Sequence, residues 1–355
     1  VLCLFVLLLF NLLLNNFVLV SYYQHIKQTS LENAFQTLDG LYAGQAEQVD
    51  AYLIQQYYDK NISTGVLNAA GRLDDAGKGV RLSSANSINI GRLAPQVVYY
   101  YRAYADLVQA GRIQPGDKVD YVVPTGNFGD ILAGYFAKEM GLPVGKLVCA
   151  SNANNVLTDF LRTGRYDRRR PFYKTVSPSM DILVSSNLER LLYLLSGDDK
   201  LIADLMKQLS ENGEYEVPAE MLEKLHELFW AGFCDDEGAK VAIGKVWKDD
   251  HYLCDTHTAV AWDVAQQYKQ ANPEHNAVVV LSTASPYKFP AAVLEGIGEK
   301  AEGDEFDVME QLHKVTGVPV PKNLADLRSR AVRHRDVIDR GEMLDYVLGK
   351  AAAEK

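Results

Sequence analysis

The stretch from Lys118 to Ala150 constrains this chain more than any other. Lys118 to Pro124 (KVDYVVP) reads as a buried strand. Thr125 to Asp130 is a glycine-containing loop, Ile131 to Met140 reads as a helix with Gly141 as its stop, and Lys146 to Ala150 (KLVCA) is the next strand. A strand–loop–helix–strand unit fits a parallel sheet, and such sheets bind ligands at the carboxyl ends of their strands. The loop is therefore the first place to look for chemistry. Gly126 and Gly129 permit backbone torsions and close approach that a Cβ forbids. The loop runs into a helix N-terminus, where free N–H groups and the helix dipole favour an anion, with a phosphate as the natural occupant. On spacing alone an ordinary strand-to-helix turn fits equally well, and the loop matches neither a Walker loop nor the Gly-x-Gly-x-x-Gly fingerprint.

The surrounding pattern is α/β. Arg92 to Ala110 predicts a helix with Pro95 in its first turn, an apolar stripe of Leu93, Val97, Tyr101, Tyr104 and Val108, and Gly111 at its end. Residues 185–252 read as mainly helical and charged, with Leu201 to Leu209 and Ala219 to Phe229 the clearest pieces. His257 to Gln270 is another helix, Ala277 to Leu281 (AVVVL) a buried strand, and the tail from Pro290 is helical and polar. Three other clusters bear on chemistry. A hydroxyl in Ser282-Thr-Ala-Ser-Pro286 could bond a heteroaromatic nitrogen at the same sheet edge, although turn chemistry is the better reading without context. His257, in Asp255-Thr-His-Thr258, reads as structural, with Asp255 or Thr256 as the helix cap. Arg162, Arg165, Arg168, Arg169 and Arg170 could hold a substrate phosphate, but a solvated loop is the better reading.

Composition narrows the classes. In 355 residues, 48% of them hydrophobic, there is enough apolar mass for a core and for about two domains. The formal net charge of −10 argues against a nucleic-acid partner. Cys3, Cys149, Cys234 and Cys254 are scattered, so neither a disulfide framework nor a zinc site is expected. Val1 to Val20 carries no charge and is long enough to cross a bilayer, without the basic flank or cleavage site of a signal peptide. It reads either as a membrane anchor or as a segment foreign to the protein, from an incomplete or shifted reading frame. Residues 21–81 read poorly.

From about Leu82 to Lys350 the sequence resembles threonine synthase. The resemblance rests on Leu82-Ser-Ser-Ala-Asn-Ser-Ile-Asn-Ile-Gly-Arg92, Pro124-Thr-Gly-Asn-Phe-Gly-Asp-Ile-Leu-Ala-Gly134 and Cys149-Ala-Ser-Asn-Ala-Asn-Asn-Val-Leu-Thr-Asp159. It continues through Ser177-Pro-Ser-Met-Asp-Ile182, Ser185-Ser-Asn-Leu-Glu-Arg190, Asp255-Thr-His-Thr-Ala-Val260 and Leu281-Ser-Thr-Ala-Ser-Pro-Tyr-Lys-Phe289. It implies the pyridoxal-phosphate fold of the tryptophan-synthase-β type: two α/β domains, the N-terminal one incomplete here, with the cofactor in the cleft. It implies a cytoplasmic lyase of threonine biosynthesis that turns O-phospho-L-homoserine and water into L-threonine and phosphate. Pyridoxal 5'-phosphate would be the cofactor, with no metal and no nucleic acid. The alternatives are another pyridoxal-phosphate lyase of the same fold or a non-catalytic, membrane-anchored remnant. By the same resemblance, Gly126, Asn127, Phe128, Gly129 and Asp130 would cradle the cofactor phosphate, and Thr283 would face the pyridine nitrogen. Asn86, Ser87, Asn89, Asn154 and Lys288 would line the substrate side. The family's Schiff-base lysine, in a Phe-Lys-Asp setting, and its Ser-Gly-Asp-Thr-Gly segment have no counterpart in this sequence. The chain is therefore expected to be a truncated form, with residues 82–355 carrying the family-like region.

Overall fold

The computed structural model describes residues 87–333 and 335–353. The expectations for Val1 to Val20, for residues 21–81 and for Asn86 lie outside the described residues. Leu82–Asp336 forms one compact unit. Of the other unit, the described part is a short 3-10 turn and the helix Met343–Ala353.

The larger unit is built on four parallel strands: β1 (Val119–Pro124), β2 (Val144–Ser151), β5 (Phe229–Phe233) and β6 (Ala277–Val280). Their order in the sheet is β5-β2-β1-β6. Tyr121 pairs with Leu147 on one side and with Val279 on the other, so β1 is central. Every residue of β1 is buried, which is why its sequence is apolar towards both faces rather than alternating, save for Asp120, whose carboxylate accepts from Tyr268, Asn276 and the Lys146 N–H. Its side chains divide by parity between two cores. Val119, Tyr121 and Val123 join Leu147, Cys149 and Phe229 beneath helices α1 (Ile90–Leu93), α2 (Val97–Gln109), α3 (Gly129–Glu139) and α4 (Val156–Thr163). Val122, Val148 and Ala150 face the core beneath α8 (Asp236–Asp250), α9 (Thr256–Ala271), α10 (Pro290–Gly296) and α11 (Glu305–Thr316). Between α4 and α8 lie β3 (Arg165–Asp167), α5 (Leu188–Ser196), α6 (Asp199–Asn212), β4 (Glu214–Glu216) and α7 (Ala219–Leu228), and β3 and β4 form a small antiparallel pair. A short helix, α12 (Lys322–Ala325), follows α11.

The topology locates the cleft. From β1 the chain crosses through α3 to β2 on one side, whereas β6 enters on the other side from α9. The sheet order therefore reverses between β1 and β6, and ligands bind outside the carboxyl ends of the strands at such a switch point.

The structure corrects several sequence readings. The helix expected over Arg92 to Ala110 is interrupted by a 3-10 turn, Ala94–Gln96, carrying Pro95. That turn advances the helical phase, so Tyr100 is buried and Tyr101 lies exposed. Phe229 to Phe233 is a strand, not a helix end; its apolar run follows α7 with no turn residue to announce it. Among the described residues β6 is an edge strand, and it is half-buried rather than buried. In the Arg cluster, Arg165 and Arg169 pair with Asp167 and Glu214, Arg170 pairs with Asp159, and Arg162 and Arg168 donate to the Ala231 and Ser210 carbonyls.

Gly134 marks the closest approach of α3 to its neighbours. A Cβ there would lie 2.7 Å from Tyr100 Cε1 and 2.8 Å from Leu147 Cδ2. Gly134→Val is therefore expected to destabilise the fold by about 1–3 kcal/mol, the usual cost of overpacking, read as a lower urea midpoint.

Candidate functional site

The loop after β1 is fixed before any ligand arrives. Thr125 donates its N–H to the Ala150 carbonyl and its hydroxyl to the Val123 carbonyl. Asn127 turns its side chain back to accept the Gly129 N–H at 2.8 Å. Phe128 takes a left-handed conformation, φ 62°, which an L side chain rarely adopts. Its ring, fully buried against Phe229 with centroids 5.8 Å apart, holds the residue there. The loop's carbonyls are drawn away from the cleft: Ser185 Oγ donates to the Gly126 carbonyl and Asn187 Nδ2 to the Asn127 carbonyl. The first-turn N–H groups of α3 have no acceptor within the helix, and they sit at the positive end of its dipole.

This loop forms one wall of a cleft of about 760 Å³. The opposite wall is the segment after β6, from Leu281 to Ala284, with Lys288 beyond it. Ser87, Arg92, Gln96 and Tyr99 close a third side, and Ser179, Met180 and His257 form the floor. Ser282 is tied down by Tyr252 and Thr258, at 3.0 and 3.1 Å, which fixes its neighbour Thr283. The Thr283 hydroxyl makes no hydrogen bond, and Lys288 no ion pair, among the described residues.

The protein carries a net −10, whereas among the described residues the charged side chains lining this space are Arg92, Lys288 and Asp130. Burial pushes the Asp130 carboxyl up to about 6, against a hydrogen bond from the Tyr100 hydroxyl that favours the charged form. An anion at the head of α3 therefore meets free N–H groups and an acid whose negative charge is held weakly.

The structure brings together Gly126 to Asp130, Thr283, Ser87 and Lys288 on one cleft. Two expected residues are not on its lining. Asn89 caps α1, accepting the Gly91 N–H at 2.8 Å. Asn154 is buried behind the floor, where it donates to the Tyr173 carbonyl and to Asp181. Sequence reasoning gave no role to Ser185 and Asn187, the supports of the loop, nor to Arg92, Gln96 and Tyr99. The Ser185 to Arg190 motif was the available signal. Among the described residues no group of His, Cys, Asp and Glu could hold a metal ion, and Cys149, Cys234 and Cys254 are free and buried. No helix among them is long and apolar enough to cross a membrane.

Comparisons with known proteins point the same way. Residues 258–345 match the family model "Threonine synthase, C-terminal". Threonine synthase-like 1 of Macaca fascicularis is 47% identical over 221 residues, covering 62% of this chain and 29% of that protein. The threonine synthase of Pseudomonas aeruginosa is 38% identical over 261 residues, covering 72% of this chain and 54% of that one. In structure, a threonine synthase from Brucella melitensis with PLP bound superposes with a TM-score of 0.68 and 35% identity, covering 83% of this chain and 57% of the other. The yeast enzyme gives 0.64 and 31%, covering 76% and 54%. The C-terminal part of the chain is thus threonine-synthase-like in sequence and fold. The chain spans under a third of its threonine synthase-like 1 relatives and about half of the threonine synthases it matches.

The raised carboxyl sets a pH signature. Above about 6 the folded state must hold Asp130 charged in a buried place, whereas the unfolded chain ionises it freely from about 4, so its contribution to stability is present at low pH and is lost as pH rises through 6. Asp130→Asn, which keeps the acceptor for Tyr100, should therefore stabilise the protein by about 2 kcal/mol near pH 8, with the gain vanishing near pH 4. Urea titrations of both proteins at the two pH values measure it.

Proposed function

We propose that this chain carries the cofactor-binding part of a pyridoxal-phosphate site for threonine synthesis, in which O-phospho-L-homoserine and water give L-threonine and phosphate. The observation that carries the reading is the pairing, across one cleft, of a pre-formed N–H cradle at Gly126 to Asp130 with an unengaged hydroxyl at Thr283. The residues fit the cofactor by their chemistry. A glycine loop at a helix N-terminus suits its phosphate, and a neutral hydroxyl suits its ring nitrogen.

When bound, pyridoxal phosphate supplies an electron sink for carbanions at the substrate's carbon atoms. The chain's own residues position and bind. The loop N–H groups of residues 126–130, apart from that of Gly129, which Asn127 holds, would anchor the phosphate. Asn187 and Ser185 keep the loop's carbonyl oxygens, which would repel that phosphate, turned aside. Thr283 offers a neutral partner to the ring, which leaves its nitrogen less protonated than an aspartate would. Lys288 and Arg92 bring positive charge to a cleft whose substrate ends in a phosphate, and Ser87 stands on the same side. In the overall reaction the bond from Cγ to the phosphate oxygen breaks and phosphate leaves with the electron pair; Cβ gives up a proton and Cγ gains one; and water adds its hydroxyl to Cβ while its remaining proton goes to the phosphate. The proton-shuttling lysine expected of the family has no counterpart in this sequence, so the chain by itself is expected to bind the cofactor without completing this reaction.

The test is a titration of the purified chain with pyridoxal phosphate. Saturable, reversible binding is expected, weakened at least about tenfold in Gly126→Val, where a side chain meets the Met180 and Ser179 backbone at 3.0 and 3.1 Å. Borohydride should fix the cofactor to no single lysine, and phosphate release from O-phospho-L-homoserine should be absent. Absence of saturable binding would sink the reading; turnover of serine in its place would favour another lyase of the same fold.

A further inference from the structure

We propose that His257 is a positioning residue that sets the floor of the phosphate cradle through the Ser179 backbone, an inference that rests on the pyridoxal-phosphate reading above. His257 is buried in the first turn of α9, with its side chain on the cleft floor. Its Nε2 lies 3.2 Å from the Ser179 nitrogen and its Nδ1 lies 3.0 Å from Asp255 Oδ1. A backbone N–H only donates, so Nε2 must accept and carries no proton. The ring proton then sits on Nδ1, where the Asp255 carboxylate accepts it. Both nitrogens are committed, and the Phe289 ring, with centroids 4.9 Å apart, packs on the imidazole. A ring held in this way cannot exchange protons with a ligand without losing one of its two bonds. Its task is to hold Ser179.

Ser179 matters because of what lies above it. The Ser179 and Met180 backbone is the surface against which Gly126 packs, close enough that a Cβ on Gly126 would fall 3.1 Å from the Ser179 oxygen and 3.0 Å from Met180 Cα. The 3-10 turn Pro178–Met180 is clamped at its middle and just past its end. Asp181, its cap, accepts from Asn152, Asn154 and Thr175, and His257 holds the central residue, Ser179. The same Asp255 carboxylate reaches the opposite wall, since it accepts from the Thr258 hydroxyl, and Thr258 bonds Ser282, the neighbour of Thr283. Burial pushes that carboxyl up, but the bonds from His257 and Thr258 outweigh it and hold it below the usual carboxylate range. One carboxylate thus bears on both the floor and the Thr283 wall, and His257 transmits it to the floor beneath the phosphate cradle.

The experiment compares the full chain with His257→Gln, whose longer amide can still accept the Ser179 N–H, and His257→Leu, which cannot. Pyridoxal phosphate titration should show His257→Leu weaker by about tenfold and His257→Gln within about threefold of the parent, the loss of one buried hydrogen bond setting the scale. In the parent, 15N spectra of the imidazole should show a protonated Nδ1 and a bare Nε2. Should His257→Leu fail to give a cooperative melt, His257→Asn, which keeps a polar group near Asp255 but falls short of Ser179, takes its place with the same expectation. Equal affinity in parent and His257→Leu, a His257→Gln as weak as the variant lacking the acceptor, or a protonated Nε2 would each overturn the proposal. If the parent binds no pyridoxal phosphate, the reading of the site fails separately. The ligand-free amide signals of Gly126 and Gly129 then decide: shifts in His257→Leu that His257→Gln restores support the positioning role, and unchanged signals refute it.

Discussion

The N–H groups at the head of α3 govern how the rest of this structure is arranged. A helix that begins directly after a buried strand leaves its first donors facing whatever lies beyond the sheet edge, and buried donors must find acceptors. Among the described residues they face the cleft between the ends of β1 and β6. The protein could have closed that space with side-chain oxygens. Instead Asn127 satisfies only Gly129, and Ser185 and Asn187 bond the loop's carbonyls rather than its N–H groups. The helix end is where the proposed function puts an anion, and the left-handed Phe128 backbone shows that holding the loop in this form overrides a local conformational preference.

Much of the fold was legible because burial writes itself into periodicity. β1 lies between two cores, so it reads as apolar towards both faces with Asp120 as the exception, and α9 appears with its Asp255 cap and α3 with its Gly141 stop. The failures have equally physical causes. The strand Phe229–Phe233 follows α7 without a glycine or proline between them, so an apolar run there fits either structure. The Pro95 turn shifts the phase of α2 by a fraction of a residue, which is enough to exchange Tyr100 for Tyr101. Tyr100 is the residue that reaches Asp130, so a small error in helix phase hid the contact that ties α2 to the site.

The site was legible in its glycines and hydroxyls but not in its supports. Gly126 and Gly129 announce a close backbone approach, and Thr283 follows a strand of the same sheet. By contrast, Ser185 and Asn187 reach Gly126 and Asn127 across roughly sixty residues of sequence, and His257 reaches Ser179 across 78. Such pairings depend on how α5 and α9 pack, which no local pattern records. Asn154 is instructive in the opposite direction. It sits in a dense motif and its type suggests ligand contact, yet its donors are spent on Tyr173 and Asp181. It acts at one remove, by holding the turn on which the floor is built.

These details share a division of labour. The polar side chains around the cleft are used almost entirely to fix backbone: Asn127, Ser185, Asn187 and His257 all bond main-chain groups of the loop or the floor. The groups left to a ligand are main-chain N–H groups and a few side chains, Thr283 and Lys288 among them. Main-chain donors have no rotamer freedom to lose, so a ligand held by them pays its ordering cost only in itself. That economy requires the backbone to be right beforehand, because a donor a few tenths of an ångström out of line cannot be recovered by rotating a side chain. The buried networks around Asp255 and Asp181 are then not incidental ornaments of the core. They are what a site built from backbone must have, since its binding geometry is only as good as the contacts that hold the backbone still.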